Sequence, residues 1–332
     1  VYRASLFPRF LDETDEHGNA VYWSPYSGKI RHGRLVADSG FWDAYRTVYG
    51  LLSITRPSVL GAMIEGWLNA AKENDGFVPQ WASPAERSGV LAGNTLSDVT
   101  LSDAIVKGIP GFDVEAALRV SLNNVECARG HEKHNSQTSE CAELRMLGYM
   151  TNNHPESVSR SLDAQYSQFA VAQAARYLCK RNLTTTSAVL SCSGNGRYPS
   201  LAAELESRAS RYELLFDSSQ GPPSFHPHDA LGHVHRQKMD DMGGAYGEAG
   251  PLQLRHYVPW NVSGLNALYG GRLCEVIDAD LRTNFTGSSL HFYQDTIHEL
   301  REAKRVGDMG FGTYSHSNQP SHHILYVMLM AG

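Results

Sequence analysis

The chain has 332 residues, 42% of them hydrophobic and 19% charged, a composition that supports a folded core and excludes a disordered chain. The net charge of −6 and the scatter of the basic residues exclude an electrostatic nucleic-acid surface. No apolar run approaches the roughly 18 residues needed to span a bilayer, so a membrane span is not expected. The chain opens on Val1 without a methionine and without a signal peptide, and is expected to be processed or part of a longer polypeptide.

In chain order, alternation at Val21 to Tyr26 suggests a short strand within a mostly non-helical lead-in, residues 1–37. Pro57 opens a helix in which Leu60, Met63, Ile64, Trp67, Leu68 and Ala71 follow helical spacing up to a stop at Gly76. Shorter helical patterns cover Leu101 to Lys107 and Val114 to Leu122. A longer one starts at Pro155 and Glu156 and carries Val158, Leu162, Tyr166, Phe169 and Tyr177. Further patterns span Leu201 to Leu215, Val262 to Tyr269, Leu273 to Leu281, Leu290 to Arg305 and His322 to Met330. About ten helices joined by long Gly- and Pro-rich loops predict a mainly α fold, a toroid of paired helices over residues 38–332.

Cysteines and sequons bear on compartment. Cys127 and Cys141 bracket one polar stretch, Cys179 and Cys192 another, and a disulfide closing either loop would contribute roughly 3 kcal/mol. Cys274, within an apolar helical pattern, reads as a free thiol. Asn182 and Asn284 lie in polar sequons open to glycosylation, whereas Asn261 stands beside apolar residues. These features point to a secreted or lumenal protein, against the alternative of five reduced thiols in a cytosol.

Three stretches could carry chemistry. In Gly40-Phe41-Trp42-Asp43-Ala44-Tyr45-Arg46, Trp42 could stack on a pyranose while Asp43 and Arg46 bind its hydroxyls; the alternative is a helix start with a structural Asp–Arg pair. In Tyr246-Gly247-Glu248-Ala249-Gly250-Pro251-Leu252-Gln253, partial burial of Glu248 would suit a general acid, although surface glutamates also occupy such loops. His316-Ser317-Asn318-Gln319-Pro320-Ser321-His322-His323 offers oxygens for a hard cation, or a capped helix with packed histidines. His226, His228, His233 and His235 lack the accompanying ligands of a zinc site. His131 and His134 lack zincin spacing.

The order of motifs resembles glycoside hydrolase family 92. Asp38 to Arg46, then Asp103-Ala104 and Lys107-Gly108-Ile109-Pro110-Gly111-Phe112-Asp113, are similar to segments of that family. So are Glu156-Ser157-Val158-Ser159-Arg160-Ser161-Leu162, Tyr212 to Asp217 and Pro320-Ser321-His322-His323, so the likeness covers most of the chain. It implies an (α/α)6 barrel and calcium-dependent, inverting removal of terminal α-mannose from mannose-containing glycans. It makes Glu248 the acid, Asn318 and Gln319 the positions of Ca2+ ligands, and Trp42, Asp43, Arg46, Gln253, His322 and His323 the substrate-binding set. Gln319 stands where the family has a glutamate, which should weaken or abolish Ca2+ binding. Gly250 and Leu252 replace an Asn and a Trp, and Trp260-Asn261 replaces His-Asp. The family's base lies in a segment expected beyond Gly332, so the C-terminal end of the barrel is expected to be missing. Alternatives are an inactive descendant that binds glycans or serves a protein assembly, and an (α/α)6 enzyme for α-glucosides.

Overall fold

The computed structural model describes residues 8–37, 40–74, 76–78, 96–126, 135–181, 197–283, 290–291, 314, 316 and 319–332. They group into two compact units, Val1–Thr138 with Ser167–Ala209, and Ser139–Tyr166 with Ser210–Gly332.

The first unit begins with short strands. β1 (Arg9–Phe10) pairs antiparallel with β5 (Val36–Ala37), and β2 (Glu13–Thr14), β3 (Ala20–Ser24) and β4 (Lys29–His32) form a three-stranded antiparallel sheet. Five helices follow, α1 (Phe41–Ala44), α2 (Val48–Thr55), α3 (Pro57–Glu73), α4 (Ser97–Lys107) and α5 (Val114–Val125). Pro57 occupies the first turn of α3, where its missing N–H costs nothing, and the stripe from Leu60 to Ala71 is buried. Trp67 anchors this core, with ring centroids 4.7 Å from Phe41 and 5.1 Å from Tyr49. Gly61 lets α3 approach the backbone at Pro110, whose carbonyl oxygen would lie 1.8 Å from any added Cβ. Asp113 caps α5 by accepting the Ala116 N–H at 2.9 Å.

Helices α6 (Asn135–Met146) and α7 (Ser157–Lys180) each contribute turns to both units, and α8 (Arg197–Ala209) completes the first. The polar stretch ending at Cys141 reads as a loop, yet from Asn135 it is helical. It has no apolar stripe to announce it, and Arg160 is held by its buried Glu140 through two hydrogen bonds of 2.8 and 2.9 Å.

In the second unit, β6 (Phe216–Asp217) pairs antiparallel with β7 (Ser224–Phe225), and β8 (Met242–Gly243) runs parallel to β9 (Leu290–His291). The helical pattern expected from Leu290 therefore starts as strand, and its remainder lies outside the described residues. Helices α9 (Pro251–Leu254), α10 (Val262–Leu268), α11 (Leu273–Arg282) and α12 (Ile324–Ala331) complete the unit. Its core joins Val158 and Leu162 of α7 to Tyr212, Phe225, Tyr257, Leu265, Ile277 and Val327. Arg255 and Asp280 form a buried ion pair, with His256 Nε2 2.9 Å from the same carboxylate.

Cys274 is free, as its helical setting suggests; Cys127, Cys192, Asn182 and Asn284 lie outside the described residues. No described helix is long and apolar enough to cross a membrane.

Candidate active site

The loop carrying Glu248 is fastened at every step. Gly243 and Gly244 turn the chain with positive φ. The Gly243 N–H then donates to the Ala249 carbonyl at 2.8 Å, and the Tyr246 N–H to the Gly243 carbonyl at 3.2 Å. Tyr246 is buried and its hydroxyl donates to the Phe225 carbonyl at 2.6 Å, while burial pushes the phenol above its usual range. The Gly247 N–H donates to Ser159 Oγ of α7 at 2.8 Å. Gly250 passes so close to the Asp241 carbonyl that an added Cβ would lie 2.1 Å from it.

Within this frame Glu248 is half-buried and its backbone is left-handed, φ 49°. Such a conformation costs a non-glycine residue on the order of 1 kcal/mol or more and is sustained only when the surroundings fix it. Gln253 is buried in α9; its Oε1 accepts the Gly250 N–H at 2.9 Å, and its Nε2 has no hydrogen-bond partner among the described residues. A buried amide donor left open is the polar group a hydroxyl ligand would satisfy.

The chain after α9 builds an aromatic wall. Trp260 stacks on Tyr166 with centroids 5.3 Å apart and planes 12° apart, and meets Tyr212 and Tyr257 edge-on. Tyr257 donates to Asp163 at 2.8 Å and lies edge-to-face with the buried His323 at 4.9 Å. His322 places Nε2 2.8 Å from the His316 carbonyl. Gln319 opens a 3-10 turn, Gln319–Ser321, which packs against α9. Asn318 lies outside the described residues. Asn261, in the remaining sequon, accepts the Gly264 N–H as the cap of α10 and donates to the Tyr212 hydroxyl.

The second unit thus gathers the elements of Glu248, Gln253, Gln319, His322 and His323. Trp42, Asp43 and Arg46 make their own cluster in the first, at α1. The Arg46 guanidinium lies over Trp42 and Tyr45 at 5.2 and 4.5 Å, Trp42 is half-buried and Asp43 is exposed. Among the described residues no three His, Cys, Asp or Glu side chains form a metal-binding group. Of the two residues expected to ligate Ca2+, the described one is Gln319, a neutral donor whose fit to the ion is poor. Of the histidine cluster, His228 places Nδ1 2.9 Å from the His226 carbonyl. His233 and His235 lie 3.0 and 3.4 Å from Asp229, whose carboxyl is held below the usual range first by the His233 backbone N–H and then by these side chains and the Leu231 N–H.

The model of the glycosyl hydrolase family 92 catalytic domain matches residues 1–332. The chain belongs to that family. A search of curated proteins returned no match. Among solved structures, the family GH92 inverting mannosidase BT2199 from Bacteroides thetaiotaomicron aligns with a TM-score of 0.74 at 29% identity, over 98% of this chain and 41% of that one. The family GH92 α-mannosidase BT3965 of the same organism gives 0.70 at 21% identity, over 98% and 37%. Its complex with mannoimidazole gives 0.72 at 20%, over 98% and 39%. The chain therefore spans about two fifths of the length of these relatives. As a family 92 member it has the fold class expected of it, mainly helical and of (α/α)6 type, with a short, mostly non-helical N-terminal segment.

Two features of the second unit are not announced by the sequence. Trp260 entered as a departure from the family pattern, although its rings make it part of a wall. Glu156 entered as a helix start, although it shares with Glu248 a left-handed backbone, φ 56°. A Pro-Glu pair ahead of a helix gives no local sign of the distant loop it meets.

Proposed function

We propose that this domain serves the inverting hydrolysis of terminal α-mannosides in mannose-containing glycans, with Glu248 as general acid. The observation that carries the reading is the strained, half-buried placement of Glu248 on a loop fixed by hydrogen bonds to α7 and α9. Glu248 gives its proton to the glycosidic oxygen as the bond from the anomeric carbon breaks. Water attacks that carbon from the opposite face and passes its proton to a base, which is assigned to no residue of this chain. In this reading Gln253 Nε2, Trp260 and His323 bind the sugar beside Glu248. Ca2+ belongs to the proposal only as a weakly held ion at Asn318 and Gln319, with no part in the bond cleavage.

The test is Glu248→Gln in the full-length protein. Turnover of an α-mannoside with a poor leaving group should fall by roughly 10²–10⁴-fold, and turnover of an activated aryl α-mannoside should fall far less. Equal losses on both would leave Glu248 a structural residue. The neutral Gln319 favours one second reading, a glycan-binding descendant without turnover that serves a protein assembly. It requires that mannosides bind and no variant changes hydrolysis.

We further propose a secreted or lumenal location with Cys127–Cys141 and Cys179–Cys192 paired and Asn182 and Asn284 glycosylated. In support, the two cysteine pairs are closely spaced in the sequence while Cys274 is free.

A further inference from the structure

The start of α7 and the loop of Glu248 share a seam of hydrogen bonds. The Glu156 N–H donates to the Gly244 carbonyl at 2.8 Å and the Val158 N–H to the Ala245 carbonyl at 2.9 Å. Ser159, in the first turn of α7, adds a side-chain bond, its Oγ accepting the Gly247 N–H at 2.8 Å. This bond falls between two other anchors. On one side the Tyr246 hydroxyl is tied to the Phe225 carbonyl at 2.6 Å, and on the other the Ala249 carbonyl is tied to the Gly243 N–H at 2.8 Å. Ser159 therefore takes hold of the backbone at Gly247, one residue ahead of Glu248 and its left-handed φ of 49°.

Gly247 explains why the backbone needs holding there. Its φ lies outside the left-handed region, so any residue could adopt its conformation. A Cβ on it would meet the Glu156 carboxyl at 3.4 to 3.6 Å, which is ordinary contact, so space does not demand a glycine either. What the glycine brings is torsional freedom, because a residue without Cβ moves between backbone regions at little cost. Rotation about the Gly247 backbone would carry the Glu248 carboxyl with it. We infer that Ser159 is a positioning residue of the site, its hydroxyl selecting the Gly247 backbone state that aims the Glu248 carboxyl at the glycosidic oxygen; the inference rests on Glu248 being the general acid. Ser159 itself touches no substrate. It acts on proton donation alone, so its loss should be felt only where the leaving group needs a proton.

The experiment measures kcat and KM of the full-length protein on an alkyl α-mannoside and on an activated aryl α-mannoside. Ser159→Ala should lower kcat on the alkyl substrate several-fold, by no more than roughly 10-fold, the weight of one such hydrogen bond. KM should stay nearly unchanged, and turnover of the aryl substrate should barely fall. Ser159→Thr, which keeps the hydroxyl, should restore most of the loss. Ser159→Cys, with a weak sulfur acceptor in nearly the same volume, should fall between serine and alanine, and it decides the matter should the alanine variant not fold. Equal losses on both substrates, a threonine variant no better than alanine, or no loss at all make Ser159 a packing residue and overturn the inference. Glu248→Gln measured alongside separates the two claims. If it shows no dependence on leaving group, the reading beneath the inference falls; if it shows that dependence and the Ser159 variants do not, the inference alone falls.

Discussion

Replacing Asp98 with asparagine should stabilise the protein, and more so at higher pH. Asp98 lies in the first turn of α4 at 1% exposure. One carboxyl oxygen accepts from Asn124 Nδ2 at 2.6 Å, and the Ser167 hydroxyl of α7 also faces the carboxyl. Burial pushes the carboxyl from 3.8 up to about 7, although the Asn124 hydrogen bond opposes the shift. The folded state therefore holds a proton that the unfolded chain releases. Stability from this group is greatest near pH 4, falls as pH rises toward 7, and levels off above it. With 1.36 kcal/mol per tenfold in protonation, the whole loss is at most about 4 kcal/mol, and about 2–3 kcal/mol of it falls between pH 5 and 8. Asparagine keeps an acceptor for Asn124 and carries no charge, so the variant should lose this slope. Urea unfolding of both proteins at pH 5, 6, 7 and 8 measures it. Parallel stability curves would refute the reasoning, since a second group would then govern the pH dependence.

Gly250→Ala should lower stability by about 1–3 kcal/mol, read by urea midpoint, and cut turnover further than that, because the loop of Glu248 must shift to clear the Asp241 carbonyl. Calcium should raise the melting temperature only at concentrations near or above the millimolar range, as linkage requires of a poorly charged site; saturation at micromolar calcium would mean a carboxylate ligand not yet assigned. Peptide mapping without reductant should find Cys274 as the single free thiol, and four free thiols at Cys127, Cys141, Cys179 and Cys192 would end the proposed pairing and compartment.

The legible parts of the fold were those whose cause is local. The spacing from Leu60 to Ala71 names α3 because the buried stripe and the helical period are the same fact. The start of α6 was not legible, because residues such as Ser136, Thr138 and Ser139 give a helix no stripe. Leu290 misled for the opposite reason. Its apolar neighbours suit a helix, but it pairs with Met242, and strand pairing at such separation leaves no mark in local periodicity. At the site, Glu248 was found through its motif, while its backbone strain and its seam with Glu156 arise only when distant segments meet.

The tryptophans also give each unit an optical signature of its own. Trp67, at 1% exposure among aromatic edges, should emit at short wavelength and report the packing of α3. Trp260, stacked on Tyr166, is placed to accept excitation energy from that tyrosine, a transfer that fades once the two rings part. With Trp23, Trp42 and Trp81 replaced by phenylalanine, red-shift of one emission and loss of sensitised emission from the other would time two separate events in a single unfolding trace.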